Sequence, residues 1–452
     1  MKKKEKILIV MYAILTFFVI IQTVSRIHAD YITELTINFY ISQGLTPYID
    51  FFEFHPLLQN MPLSYLFQLP LSLKSILWLH ELLAVMGVLL STFLVFLLAK
   101  KCSLSHPHFA SMIFLAGYTG LSFTFTKYEF WSMLFVLIFL VFSNPIIRGI
   151  ILALLLVTNP MTISGAVLMG CVYLYLLFKR EKLKSCSLFF LGVSLGVLII
   201  LWLFRDIPAL IMYNSIFTFN MNLAHLYSSS WKAVLFFSVP LSIPIIIMGL
   251  YASLKISKQD ERALLASVFT VVFLLQIVYL NLAYGLFSRI KLPALLPALG
   301  VMVIFIAWYR ARVVTVVFIY ILLVMFVAYT PIISLAKVEF IEQIANLDKC
   351  ISPQAKVYLE ETDGDDRLFI KIFRQPTEYY WFVRTYIRAS NISYKDVTFK
   401  DPVSICRNTV EKEDIICSDA DIQRIQELCK VWDWPESLWY RRNTIRSYVT
   451  NI

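Results

Sequence analysis

Charge is scarce in this chain. Only 15% of its 452 residues are Asp, Glu, Lys or Arg, against 59% hydrophobic. With a mean hydropathy of +0.72, there is too little polar surface to face water, which excludes an ordinary soluble protein and implies an integral membrane one. Acids are scarcest in the first three quarters: of 30 Asp and Glu, 11 precede residue 338 and 19 follow it. No internal repeat appears, which counts against transporters built from paired halves. No H-x-x-x-H spacing occurs around His55 or His225, so a histidine metal site has little support. The net charge of +10 is spread in short clusters between apolar runs and forms no basic face with interleaved aromatics, which argues against nucleic acid.

What is present is a series of apolar runs. MKKKEK leads into Ile7–Val24 with no small-x-small cleavage site after it, so the segment reads as an uncleaved first helix with its N-terminus in the cytoplasm. Further runs occur near 82–99, 108–125, 130–143, 147–158, 161–178, 187–204, 233–253, 264–284, 292–309 and 313–334. The expected fold is an all-α polytopic membrane domain over 1–334 with eleven crossings. The count falls to nine if the short runs 130–143 and 147–158 form a re-entrant hairpin. Sixteen Lys and Arg fall in the segments then placed inside, and seven in the outer loops that precede the last crossing, as the positive-inside bias requires. An odd number of crossings sends residues 338–452 outside as a small α/β domain. Strands are expected at Lys356–Glu361, Leu368–Arg374, Tyr379–Ile387 and Val397–Lys400, with a helix near Asp419–Val431. Its cysteines, Cys350, Cys406, Cys417 and Cys429, either form two disulfides in one of three pairings or stay as free thiols.

Function is expected where polar chemistry interrupts this pattern. The first outer loop, 26–81, is far longer than a helix connection needs. Within it Thr33–Ser42 can form an amphipathic helix along the membrane surface, with Leu35, Ile37, Phe39 and Ile41 toward lipid and Asp30 as N-cap. Gly44 and Pro47 then break the chain before Tyr48, Asp50, Glu53 and His55. The plain alternative for Asp50 and Glu53 is a solvated loop. The segment 205–232, rich in aromatics and Asn, suits either ligand contact or interfacial anchoring.

The loop HADYITELTINFYISQGLTPYIDFFEFHPLL resembles the first outer loop of the GT-C membrane glycosyltransferases, which include protein O-mannosyltransferases and the aminoarabinose transferases of lipid A. Asp30, Gly44, Tyr48, Asp50, Phe51 and Pro56 stand at the matching places. FTKYEFWSMLFVLIFL resembles the second outer loop, with Glu129 where Asp is usual, and TNPMT a "K-P" element with Asn159 in place of Lys. FSRIKLPALLPAL resembles the late outer loop whose base faces a lipid phosphate, and Tyr31 stands where the family has Glu. The resemblance covers about 1–334. It implies transfer of a sugar from a polyprenyl-phosphate donor to a glycan, lipid or protein acceptor at the outer face of the cell membrane, with inversion.

The chemistry agrees with these residue types. A carboxylate must take the proton of the acceptor hydroxyl, a role for Asp30. Cations must meet charge building on the leaving phosphate, a role for Arg289 and Lys291. Glu129 joins Asp30 as a catalytic candidate. Tyr48, Asp50, Glu53 and His55 are candidates for holding donor or acceptor. No cofactor is required, although Asp30 and Asp50 could hold a divalent ion. The competing readings are a polysaccharide polymerase and a lipid or sugar flippase.

Overall fold

A computed structural model describes residues 3–25, 29–51, 55–121, 127–218, 239–284, 295–328, 350–352, 355, 358–359, 400–405, 408–423 and 426. Among these residues helix dominates. Four helical stretches are long and apolar enough to cross a membrane: Leu73–Lys101, Pro160–Lys179, Leu183–Leu203 and Glu261–Tyr279. Shorter apolar helices accompany them, so the chain is a helical membrane protein. The chain divides into two compact units. The first comprises Met1–Val24, Phe54–Leu63 and Leu79–Pro331; the second comprises Ser25–Glu53, Ser64–Trp78 and Ile332–Ile452.

The first unit is a bundle built from α1 (Lys3–Ser25), the body of α4 (Leu73–Lys101), and α5 (Pro107–Leu121), α6 (Tyr128–Val141), α7 (Pro145–Thr158), α8 (Ile163–Lys179) and α9 (Leu183–Leu203). It continues through α11 (Val239–Ile256), α12 (Glu261–Tyr284), α13 (Leu296–Met302) and α14 (Ala311–Ala328). The short α3 (Asn60–Ser64) and α10 (Ala209–Tyr213) lie between longer elements. Tyr12 of α1 hydrogen-bonds the Ser111 hydroxyl and donates to the His108 carbonyl, fixing α1 to α5. Helices α6 and α7 form a hairpin of two 14-residue arms, started by Asn144, whose side chain accepts from the Ile146 N–H. Small residues let α7 and α9 come together at backbone distance. A methyl group at Gly192 would collide with the Ile146 carbonyl oxygen, one at Gly149 with that of Phe189, and one at Gly196 would lie 2.6 Å from the Ala153 Cβ. In lipid, where apolar surface gains nothing by leaving water, such close packing is what joins helices.

At the hairpin's turn, Arg148 is buried at 1% exposure. Its Nε donates to the Phe139 and Phe142 carbonyls at 2.9 and 2.7 Å, where α6 ends with carbonyls that have no helical partner. Nη1 pairs with Glu261 at 3.2 Å, and Glu261 also receives Arg180 at 2.7 Å. The guanidinium lies 4.4 Å from the centre of the Tyr173 ring, a favourable cation–π arrangement. Lys101 adds a donation to the Val141 carbonyl at 2.7 Å. One end of the bundle is thus tied across α4, α6, α7, α8 and α12. Arg148, one of the sixteen basic residues counted on the inner side, is a core residue. Beside this node burial, with Asp260 nearby, pushes the Cys102 thiol up to about 12.

In the second unit α2 spans Ala29–Ser42, beginning four residues before the expected start. Asp30 is therefore the second residue of the helix and not the residue ahead of it. The expected split into lipid and water faces is also corrected, because Glu34, Leu35, Thr36, Ile37 and Asn38 are all buried. A helix covered on successive residues packs within protein on more than one side. The 3-10 helix Tyr65–Gln68 packs on α2, with Phe67 against Phe39 at 6.0 Å. Near the C-terminus three short strands, β1 (Tyr358–Leu359), β2 (Pro402–Ile405) and β3 (Asn408–Glu411), form an antiparallel sheet in the order β1-β3-β2. β1 falls inside the expected strand 356–361, β2 just beyond the expected 397–400, and β3 is additional. Leu368–Arg374 and Tyr379–Ile387 lie outside the described residues. Residues 419–423 are helical, at the start of the expected helix. Cys350 and Cys417 form a disulfide spanning 67 residues, whereas Cys406 and Cys429 lie outside the described residues.

Two outcomes follow from this packing. Replacing Gly192 with Leu forces α7 and α9 apart and costs roughly 1–3 kcal/mol, read as a lower melting temperature of the purified protein; an unchanged value would contradict the close approach. Peptide mapping without reductant recovers a linked Cys350–Cys417 pair. The Cys350→Ser change destabilises the C-terminal segment by about 4 kcal/mol, the loop-closure figure for a bridge of this span, read as faster proteolysis.

Candidate functional site

The bundle end opposite the Arg148 node carries polar groups that lack such pairing. Glu129 is the second residue of α6, where the N-terminal helix dipole favours an acid. That alone would account for a solvated glutamate. Here, however, the residue is 6% exposed and its Oε2 has no hydrogen-bond partner among the described residues. On the adjacent residue, the Tyr128 ring stacks on His55 with centroids 5.6 Å apart and planes at 29°. Pro56 follows His55, and its carbonyl accepts from the Gln59 side chain at 3.2 Å, turning the chain into α3. The tail of the first outer loop and the start of the second outer helix, two separate candidates in the sequence, thus meet.

Asn159 belongs to the same end. It terminates α7, and its Oδ1 accepts from the Met161 N–H at 3.0 Å, starting the short 3-10 helix Pro160–Thr162. Gln276 of α12 locks this corner: its amide nitrogen donates to the Pro160 carbonyl at 2.9 Å and its oxygen accepts from the Ser164 N–H at 3.1 Å. Asn159 is 1% exposed, and its Nδ2 has no partner among the described residues. It was legible as a departure from Lys in the "K-P" element, but not as a bare donor.

The remaining candidates divide between the second unit and the residues not described. Tyr48 is buried and Asp50 exposed, and both shape one turn of the second unit. Gly44 at φ +82° ends α2, Tyr48 takes φ +67°, and the Asp50 carboxylate closes the turn by accepting from the Thr46 N–H at 2.6 Å. Positive φ is uncommon for a tyrosine, and Phe51, 5.3 Å from the Tyr40 ring, helps hold it. The described contact of Asp50 is therefore structural. Asp30 is placed only as a backbone position in α2. Glu53, His225, Arg289 and Lys291 lie outside the described residues.

Two further ionisable residues were misjudged from sequence. The run beginning at residue 82 left His80 and Glu81 in a loop, but α4 starts at Leu73, and both are buried two turns inside it. Among the described residues no three His, Cys, Asp or Glu side chains come together as a metal site.

Comparison with models of protein families, with curated proteins and with solved structures finds no match.

Removing the Asp50 side chain with Asp50→Ala frees the Thr46 amide and loosens the turn by about 1 kcal/mol. Faster proteolytic cleavage within residues 44–51 checks this, with Asp50→Asn behaving as wild type; equal cleavage of all three proteins would contradict it.

Proposed function

We propose that this protein is an inverting glycosyltransferase that uses a polyprenyl-phosphate-linked sugar at the outer face of the cell membrane. The acceptor hydroxyl attacks the anomeric carbon from the side opposite the phosphate. The new carbon–oxygen bond forms as the bond to phosphate oxygen breaks, and the proton passes to a carboxylate, the role assigned to Asp30. Polyprenyl phosphate leaves with its charge met by Arg289 and Lys291. Glu129 and His55 hold the sugar or the acceptor. The N-terminus is cytoplasmic, eleven helices cross the membrane, and the C-terminal segment is extracytoplasmic. A disulfide there suits an oxidising compartment.

The observation that carries this reading is the buried Glu129 with its bare oxygen, next in sequence to the stacked His55–Tyr128 pair. A carboxylate oxygen kept from water and left unpaired is costly, and such a group at a helix mouth suits a ligand that brings hydroxyl donors, as a sugar does. The loops that supply it are those resembling the GT-C loops.

One observation favours the flippase alternative: His80 and Glu81 are buried within the 29-residue apolar helix α4. Ionisable residues at such positions serve proton or substrate passage in transporters.

Transfer is tested in proteoliposomes with a polyprenyl-phosphate hexose labelled in the sugar. The wild type releases polyprenyl phosphate. Asp30→Asn lowers the rate by ~100-fold or more, and Glu129→Gln by roughly 10- to 100-fold through a lost charged hydrogen bond. Movement of the intact labelled lipid between leaflets without cleavage would replace the transferase by the flippase.

A further inference from the structure

We propose that Glu129 and Asn159 are the two poles of a hydroxyl-binding subsite for a pyranose sugar, with Glu129 Oε2 as acceptor and Asn159 Nδ2 as donor. Both atoms are buried and without hydrogen bonds among the described residues. Their residues are 6% and 1% exposed, so both side chains turn into the bundle.

Chain geometry puts them at one level. Glu129 begins one arm of the α6–α7 hairpin and Asn159 ends the other, each about 20 Å from the turn at 1.5 Å per residue. The arms pack as neighbouring helices, with axes about 8–10 Å apart. A buried donor and a buried acceptor thus lie on adjacent helices at the same height.

The chemistry of the pair selects its ligand. A sugar hydroxyl donates and accepts at once, so neighbouring hydroxyls satisfy a carboxylate and an amide NH2 together. A phosphate offers only acceptors and would be repelled by Glu129. Asn159 stands where the resembling element has Lys, and an uncharged donor suits a hydroxyl where a cation suits phosphate. Asn159 also has a structural duty that can be separated from this one. Its Oδ1 starts the 3-10 helix through the Met161 N–H, whereas its Nδ2 does nothing for the fold. Asp in its place keeps the capping oxygen and puts an oxygen that only accepts, with a negative charge, where the donor stood.

This subsite rests on the transferase reading only for the origin of its sugar, and its test does not need turnover. The full chain, purified in a zwitterionic detergent, is titrated with decyl β-glucoside and, separately, with decyl phosphate. Asn159→Asp and Glu129→Gln each weaken glucoside binding roughly tenfold, the worth of one such hydrogen bond, and Asn159→Asp leaves decyl phosphate binding unchanged. The melting temperature of Asn159→Asp stays near that of the wild type; should that variant misfold, Asn159→Ser keeps a capping oxygen and serves instead. No glucoside binding by the wild type, equal glucoside affinity in all variants, or loss of decyl phosphate binding in the Asn159 variant would each overturn the proposal. Glucoside binding that depends on both residues, in a protein that cleaves no sugar–phosphate bond, would sustain the subsite and remove the transferase.

Discussion

Within a bundle that shuns water, every polar atom needs a partner supplied by the chain or by a ligand. That constraint shapes the structure more than any single contact. Arg148 shows it largely met: two carbonyls at the end of α6, one oxygen of Glu261 and the face of Tyr173 surround a guanidinium that would otherwise be expensive to bury. Only its Nη2 makes no hydrogen bond among the described residues, and the charge that nitrogen shares is already met by Glu261. Each partner solves a second problem. The carbonyls are orphaned by the helix end, and the second Glu261 oxygen takes Arg180. With Lys101 of α4 donating to the Val141 carbonyl, the result is a knot that joins five helices.

The opposite end of the same helices does not balance in this way. The Gln276 amide satisfies Pro160 and Ser164 on both of its sides, so the corner is held in place. Glu129 and Asn159 nevertheless keep one bare atom each. A rigid scaffold around unsatisfied groups is the arrangement expected of a binding site, because the scaffold prevents the groups from relaxing onto each other or onto the backbone. The glycine contacts between α7 and α9 contribute to that rigidity. They leave α7 little freedom to slide, which fixes Asn159 at the end of it.

The membrane class and the positions of most helices were legible because a long apolar run has almost nowhere to go except a bilayer. Other features were hidden for identifiable reasons. The start of α4 was missed because His80 and Glu81 lower local hydropathy, although a helix can bury both. The surface-helix expectation for Thr33–Ser42 failed because periodicity reports where apolar residues point, not whether protein also covers the polar face, and Glu34, Thr36 and Asn38 are buried. Asp50 drew notice as a rare acid. Its described role is a turn contact to Thr46, and nothing in its spacing separates that role from sugar binding. Arg148 counted only as one of the inner-side cations because its partner Glu261, like the Arg180 that shares it, is far away in sequence. Within the candidate site, Glu129 and His55 were legible as chemistry at helix mouths, whereas the stacking of His55 on Tyr128 and the bare amide of Asn159 required three-dimensional placement.

The central claim is that a sugar occupies the end of the bundle where these unsatisfied atoms lie. A structure of the full protein bound to a polyprenyl-phosphate hexose addresses it directly. The account requires the sugar ring to lie within hydrogen-bond reach of Glu129 Oε2 and Asn159 Nδ2. A hexose bound elsewhere, with water or another side chain satisfying those two atoms, would contradict it.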